Sequence, residues 1–250
     1  MIKTVEFKNY KSSVYEILDL LNAEKTFSKQ KNILIKPNLV NDSPFPVTTP
    51  YECCEAIVSF LREKTNATIV IAEGCGDPTY ETSEIFGILG FDKISKKYDV
   101  PLIDLNHEPL IRKNNNNCSE FPEVYLPLVA FSNYIISVPV LKAHSLSGIT
   151  GTLKNMVGFA PPKYFSETGS IWRKSRFHNN IHQAILDLNS YVTPDFSLMD
   201  ATVGLADYHL GGSTCSPTVN KLIAGFDATA VDRKAADFLG IDYRTIGHLS

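Results

Sequence analysis

Apolar residues along this chain fall into short β-like runs that alternate with stretches at helical spacing. Strands are predicted over residues 4–7, 32–36, 68–72, 101–105, 134–138, 196–199 and 221–225. Helical spacing runs through 14–21, 82–89, 153–157, 179–188 and 228–239. A further helix is predicted from Thr49-Pro50, with Thr49 as N-cap and Pro50 at the first helical position, continuing through Cys54, Ile57, Val58 and Leu61. The asparagine run at 114–117 reads as an exposed loop, and a glycine-rich loop follows the 134–138 strand.

Alternating strands and helices, with strands that are nearly continuously apolar, predict an α/β fold: a mainly parallel sheet with helices on both faces. Residues 1–250 are read as a single α/β domain, with a sub-lobe boundary placed near 106–122. Ligands of such sheets bind beyond the carboxyl ends of the strands. Lys36, Asn38, Glu73, Lys142, His144, Asp200 and Asp227 all stand at or just past the ends of predicted strands. Lys36, Glu73, Lys142 and Asp200 are therefore expected near one edge of the sheet.

Residues 124–141 form an 18-residue stretch without a charge, close to the minimum for a membrane-spanning helix of about 17 residues. Pro127 and Pro139 interrupt it, and its Tyr134–Val138 segment is β-branched and aromatic, so it reads as a strand. No membrane partner is expected. Charge narrows the field further. With 24 basic against 27 acidic residues there is no basic excess to neutralise a phosphate backbone, and no nucleic-acid partner is expected. The five cysteines are odd in number and irregularly spaced, which fits reduced thiols and a cytoplasmic location. With no C-x-x-C pair, no iron–sulfur cluster is expected in this chain.

The richest chemistry follows the 134–138 strand. Lys142, His144, Thr150, Lys154 and Asn155 are interleaved with Gly148, Gly151 and Gly158 and run into a helix. Free N–H groups at a helix start beside ammonium groups predict a small-anion site near 150–154. It is not a phosphate-binding loop of the G-K-[ST] type, because Leu153 precedes Lys154 and Asn155 follows it. The Gly74-Cys75-Gly76 turn lacks the third glycine of a dinucleotide fingerprint, since Thr79 stands there. His178 and His182 are four apart, but Asn179 occupies the general-base position of a zinc-protease helix. Metal-ligand candidates are Glu73, His178 and Asp227, and they leave room for a divalent metal. Asp227 also stands where a helix N-cap belongs. Asp232, one turn into that helix, suits the dipole and calls for no function.

Taken together these residues resemble the family known as Domain of Unknown Function 362. The resemblance is carried by Lys36-Pro37-Asn38, Thr48-Thr49-Pro50, Glu73-Gly74, Pro139 with Lys142 and His144, and Thr150-Gly151 with Leu153-Lys154-Asn155 and Gly158. It continues through the helix after His178, Asp200, and Asp227 with Ala230 and Asp232. The resemblance implies no settled activity. Many relatives carry a ferredoxin-type domain, which implies a redox partner protein. A fainter similarity links His144 and Lys154, around Gly148-Ile149-Thr150-Gly151, to the nickel-pincer lactate racemase family. There the motif supplies a catalytic His and the Lys that anchors a pyridinium-derived cofactor. In this chain Ile149 replaces the motif's aromatic, and Thr152-Leu153 replace small residues.

The expected function is an enzyme acting on a small anionic metabolite, carboxylate or phosphate. His144, Lys154 and Asp200 are the expected catalytic groups, with His144 a neutral base at pH 7. Lys36, Asn38, Lys142, Thr150 and Asn155 are the expected substrate-binding groups. Neither His144 nor Lys154 is expected to matter for stability. The alternative is a non-catalytic cofactor- or metal-binding accessory protein for a separate redox partner.

Overall fold

The structure, a computed structural model, describes residues 1–250. In chain order it runs β1 (Ile2–Glu6), α1 (Tyr10–Leu20), α2 (Glu24–Phe27), β2 (Asn32–Pro37), α3 (Tyr51–Lys64), β3 (Thr68–Glu73), α4 (Thr82–Ile88), α5 (Asp92–Tyr98) and β4 (Leu102–Asp104). Next come β5 (Leu110–Asn114), β6 (Glu123–Pro127), β7 (Tyr134–Val138), β8 (Val140–His144), β9 (Gly148–Thr150), α6 (Thr152–Asn155) and α7 (Pro162–Phe165). The last elements are α8 (Ile181–Tyr191), β10 (Phe196–Leu205), β11 (Lys221–Gly225) and α9 (Ala228–Phe238).

One large sheet has the order β1-β11-β10-β7-β2-β3-β4, with β8 also on β10 and β9 on β8. The expected mainly parallel sheet is in fact mixed. Its centre, β10-β7-β2-β3-β4, is parallel, whereas β1 and β11 add an antiparallel edge and β8–β9 an antiparallel hairpin. The hairpin was hidden in the glycine-rich stretch, where Gly148 takes φ +76°.

β2 shows how the layers form. Ile33 and Ile35 pack with Ile17 of α1 and Ile57 of α3, while Leu34 between them packs with Ala184 and Leu188 of α8. Alternation sends successive side chains to opposite faces, so a strand covered on both reads as continuously apolar. Toward β11, Met199 and Ile223 pack with Val231 and Ala235 of α9. The segment 106–122 contains β5, which pairs with the following β6 in a separate antiparallel hairpin. That hairpin contributes Val124 and Leu126 to the same core as Leu34.

Pro139 separates β7 from β8. Lacking an N–H, it ends one strand, while its carbonyl accepts from the Asp200 amide at 2.9 Å. The uncharged run at 124–141 is thereby divided among β6, a short 3-10 turn, β7 and β8, and no helix is long and apolar enough to cross a membrane.

The Thr49 cap expectation is corrected. Pro50 is the N-cap residue of α3. The Thr49 hydroxyl instead accepts from the Asn38 amide at 2.9 Å and donates to the Val138 carbonyl at 2.7 Å. It pins the exit of β2 to the end of β7.

Candidate functional site

A cavity of about 330 Å³ opens at the carboxyl ends of the central strands. Beneath it lies a buried polar chain. The Lys36 ammonium donates to both Glu73 oxygens, at 2.8 and 2.7 Å, and to Asn155 Oδ1 at 3.1 Å. Asn155 Nδ2 returns to the Lys36 carbonyl and to Ser137 Oγ. Asn38 Nδ2 donates to Asn155 Oδ1 at 3.3 Å, and Asn38 Oδ1 accepts from Lys142 Nζ at 2.7 Å. Lys142 also donates to the Val47 carbonyl at 2.6 Å.

Lys36, Asn38, Lys142 and Asn155 are thus brought together as expected, but their polar atoms are occupied by one another. With the Pro37 carbonyl at 3.1 Å, Lys36 has four close acceptors for its three hydrogens, so it holds the strand ends and is not free for an anion. Gly158 makes the packing possible: a Cβ there would collide with Glu73 Oε1 and lie 2.5 Å from Lys36 Nζ. Thr150 lines the cavity, with its hydroxyl buried and unpartnered.

Lys154 is different. It is half-buried on the cavity wall, and its ammonium has neither an ion pair nor a hydrogen bond. Burial draws its pKa down to about 8. Lys142 is drawn down to about 7, by burial first and by the charge on Lys154 second.

His144 is buried at the end of β8, and its Nδ1 accepts from the amides of Leu146 at 3.1 Å and Ser147 at 3.4 Å. Burial, then Lys154, His209, His178 and Lys142, lower its pKa to about 2. The imidazole is neutral as expected, but the two amides fix its proton on Nε2. His144 therefore presents a donor to the cavity, which corrects the expectation of a base.

Three other expectations change. Asp200 lies outside the cavity, on the opposite face of the sheet from Lys36. Phe196 and Leu198 ahead of it pack with the α1–α3 core, and Tyr10 of α1 donates to its carboxylate at 2.7 Å. Strand parity set this: Lys36 follows Leu34 to the α8 face, and Asp200 follows Leu198 to the other. Asp227 is exposed and caps α9, accepting from the Ala230 amide at 2.9 Å. It is therefore separated from Glu73 and His178, and the three do not form a metal site. His178 lies exposed on the cavity edge. Finally, the helix start at α6 is already filled. Buried Asp232 accepts from the amides of Thr152 at 2.5 Å and Leu153 at 3.0 Å.

Two groups escaped the sequence. Lys174, buried at φ 63°, donates to the carbonyls of Gly74 at 2.6 Å and Gly158 at 3.1 Å, tying the 166–178 loop to the sheet. His209 stacks on His144 with ring centroids 3.8 Å apart. Both sit in irregular segments, where periodicity gives no signal. Glu81, Asp104 and His107 also converge, within 4.8 Å, although both Glu81 oxygens are engaged by Arg173.

Comparison with known proteins agrees with this architecture. The lactate racemase apoprotein from Thermoanaerobacterium thermosaccharolyticum superposes with a TM-score of 0.58 at 14% identity, over 93% of this chain and 55% of that one. The likeness is one of fold, and the chain spans about half the length of that protein. No curated protein sequence matches the chain. The family model described as "Domain of unknown function (DUF362)" matches residues 33–237, so the chain belongs to the DUF362 family.

Proposed function

We propose that the chain is an enzyme acting on a small carboxylate or phosphate bound in the cavity at Lys154. The observation that carries this reading is the Lys154 ammonium, which faces the cavity with no partner while every other buried lysine is hydrogen-bonded. A half-buried cation without a counter-ion is costly unless a ligand supplies one. His144 Nε2–H donates to the same anion. Lys154, with a pKa near 8, exchanges a proton close to neutral pH. The Lys36–Glu73–Asn155 chain fixes the floor against which both are aimed.

The fold likeness places small 2-hydroxy acids such as lactate on the panel to be tried. Turnover of a panel of hydroxy acids and phosphate esters, lost in Lys154→Met, is the expected result. No turnover by the wild type, together with no binding of any member, would reject the reading.

A second reading is a carrier of an organic cofactor or metal for a redox partner. It draws on the same amine, because a lysine kept partly neutral is also an attachment point. The cavity has room for such a group, with Lys154 as its anchor and His144 as a donor beside it. Native mass spectrometry with metal analysis separates the two: a stoichiometric bound mass favours the carrier.

A further inference from the structure

The walls of the cavity specify more than a negative charge. Leu146, Trp172 and Tyr208 are 51%, 53% and 46% exposed, and these three of the chain's eleven large exposed apolar side chains line this one opening. Single exposed apolar residues are ordinary, but a group rimming a concavity marks a binding surface.

Rings lead inward from that rim. Tyr208 meets His209 edge-on with centroids 4.9 Å apart, and His209 stacks on His144 at 3.8 Å. Along this series exposure falls from 46% at Tyr208 to 6% at His144, so the rings descend from the mouth to the donor beside Lys154. The volume agrees. About 330 Å³ lies in the range of cavities that enclose ligands of drug size, about 300–1,000 Å³, and far exceeds the needs of acetate or inorganic phosphate. A two-carbon anion on Lys154 would leave Trp172 and Tyr208 in water.

We propose that the ligand is an aryl-substituted anion, with its carboxylate or phosphate on Lys154 and His144 and its flat ring against Tyr208, His209 and Trp172 at the mouth. The inference rests on the anion site proposed above and names its substrate class. Flat rings gain from offset or edge-on contact with aromatic walls, beyond simple burial.

The test uses calorimetric titration of the intact chain at pH 6.5 with two matched pairs: acetate against phenylacetate, and phosphate against phenyl phosphate. Trp172 is the only tryptophan, so its emission reports directly on the mouth. In at least one pair the aryl anion is expected to bind at least tenfold tighter than its parent and to shift that emission. The pair that shows it identifies the head group. In a Trp172→Ala, Tyr208→Ala double variant the ratio should fall below threefold, whereas Trp172→Phe should retain it. Both positions are half-exposed, so folding is not at stake. Equal affinity in both pairs, or an undiminished ratio in the double variant, would overturn the inference while leaving the anion site standing. Absence of binding by all four compounds would overturn both. Aryl binding that survives in Lys154→Met would overturn the assignment of the head group.

Discussion

Asp232 and Gly151 fit each other across the start of α6. A Cβ at position 151 would collide with the Asp232 carboxyl group, and through that gap Asp232 reaches the amides of Thr152 and Leu153. The positive end of the segment bearing Lys154 is therefore closed by a side chain of α9. Anion recognition falls to the Lys154 ammonium and not to backbone N–H groups.

Removing that carboxyl group should leave two buried amides without acceptors. Asp232→Ala is expected to lose about 2–6 kcal/mol in urea denaturation at pH 5, from about 1–3 kcal/mol for each of the two orphaned amides. Small anions should then stabilise the variant more than the wild type. Equal stability of variant and wild type would mean that the closure is unimportant.

Burial raises the Asp232 carboxyl from its ordinary 3.8 to about 6, so the folded chain binds this proton more tightly than the unfolded one. The stability it contributes is complete below about pH 3 and is lost as pH rises from there through 6. Relative to Asp232→Asn, the wild type should lose about 3 kcal/mol between pH 3 and pH 7, because each tenfold difference in proton affinity is worth about 1.4 kcal/mol. Parallel pH profiles for the two proteins would contradict the burial argument.

Breaking the Lys36–Glu73 pair on one side should strand a buried charge. Glu73→Gln is expected to cost about 3–5 kcal/mol, and a Lys36→Met, Glu73→Leu double variant much less than the sum of its singles. Strict additivity in the double-mutant cycle would show the two groups to be independent.

His144 holds a turn as well as facing the cavity. His144→Ala should cost about 1–3 kcal/mol because the Leu146 and Ser147 amides lose their acceptor. His144→Asn, whose Oδ1 can take the place of Nδ1, should melt close to wild type and still bind anions more weakly. Normal melting of the Ala variant would return His144 to a purely functional role.

Anion affinity should follow the Lys154 proton. With a pKa near 8, binding of acetate or phenylacetate should fall about tenfold for each rise of one in pH above 8, the rate at which the charged fraction falls. Lys154→Met should abolish binding with little change in stability, since the ammonium has no partner to lose. Affinity that stays flat from pH 7 to 10 would point to a different cation.

The strands at Tyr134–Val138 and Lys221–Gly225 are written in the sequence to the residue, because runs covered on both faces contain little but apolar side chains. The antiparallel edge was not legible, since pairing between β1 and β11 depends on residues more than 200 positions apart. At the site, strand ends and the glycine-rich segment singled out His144, Lys154 and the Lys36–Asn38–Lys142–Asn155 set, which lie close together in the structure. It could not tell engaged groups from free ones, because Glu73, Val47 and Asn155 take up those hydrogen bonds only in three dimensions. Asp200 was misplaced for a related reason: standing at the end of a strand does not decide which face a side chain takes.

The pairing of Val5 with Leu222 bears on how the chain acquires its shape. Such a contact closes a loop of more than 200 residues, and closing large loops before they are rewarded slows folding. The first strand of the sheet must wait, unpaired, until β11 has left the ribosome. Meanwhile the parallel centre of β7, β2, β3 and β4 can assemble from earlier segments. Molecules interrupted before residue 221 would then carry an open edge at β10, where chaperones or other unfinished copies can add a strand.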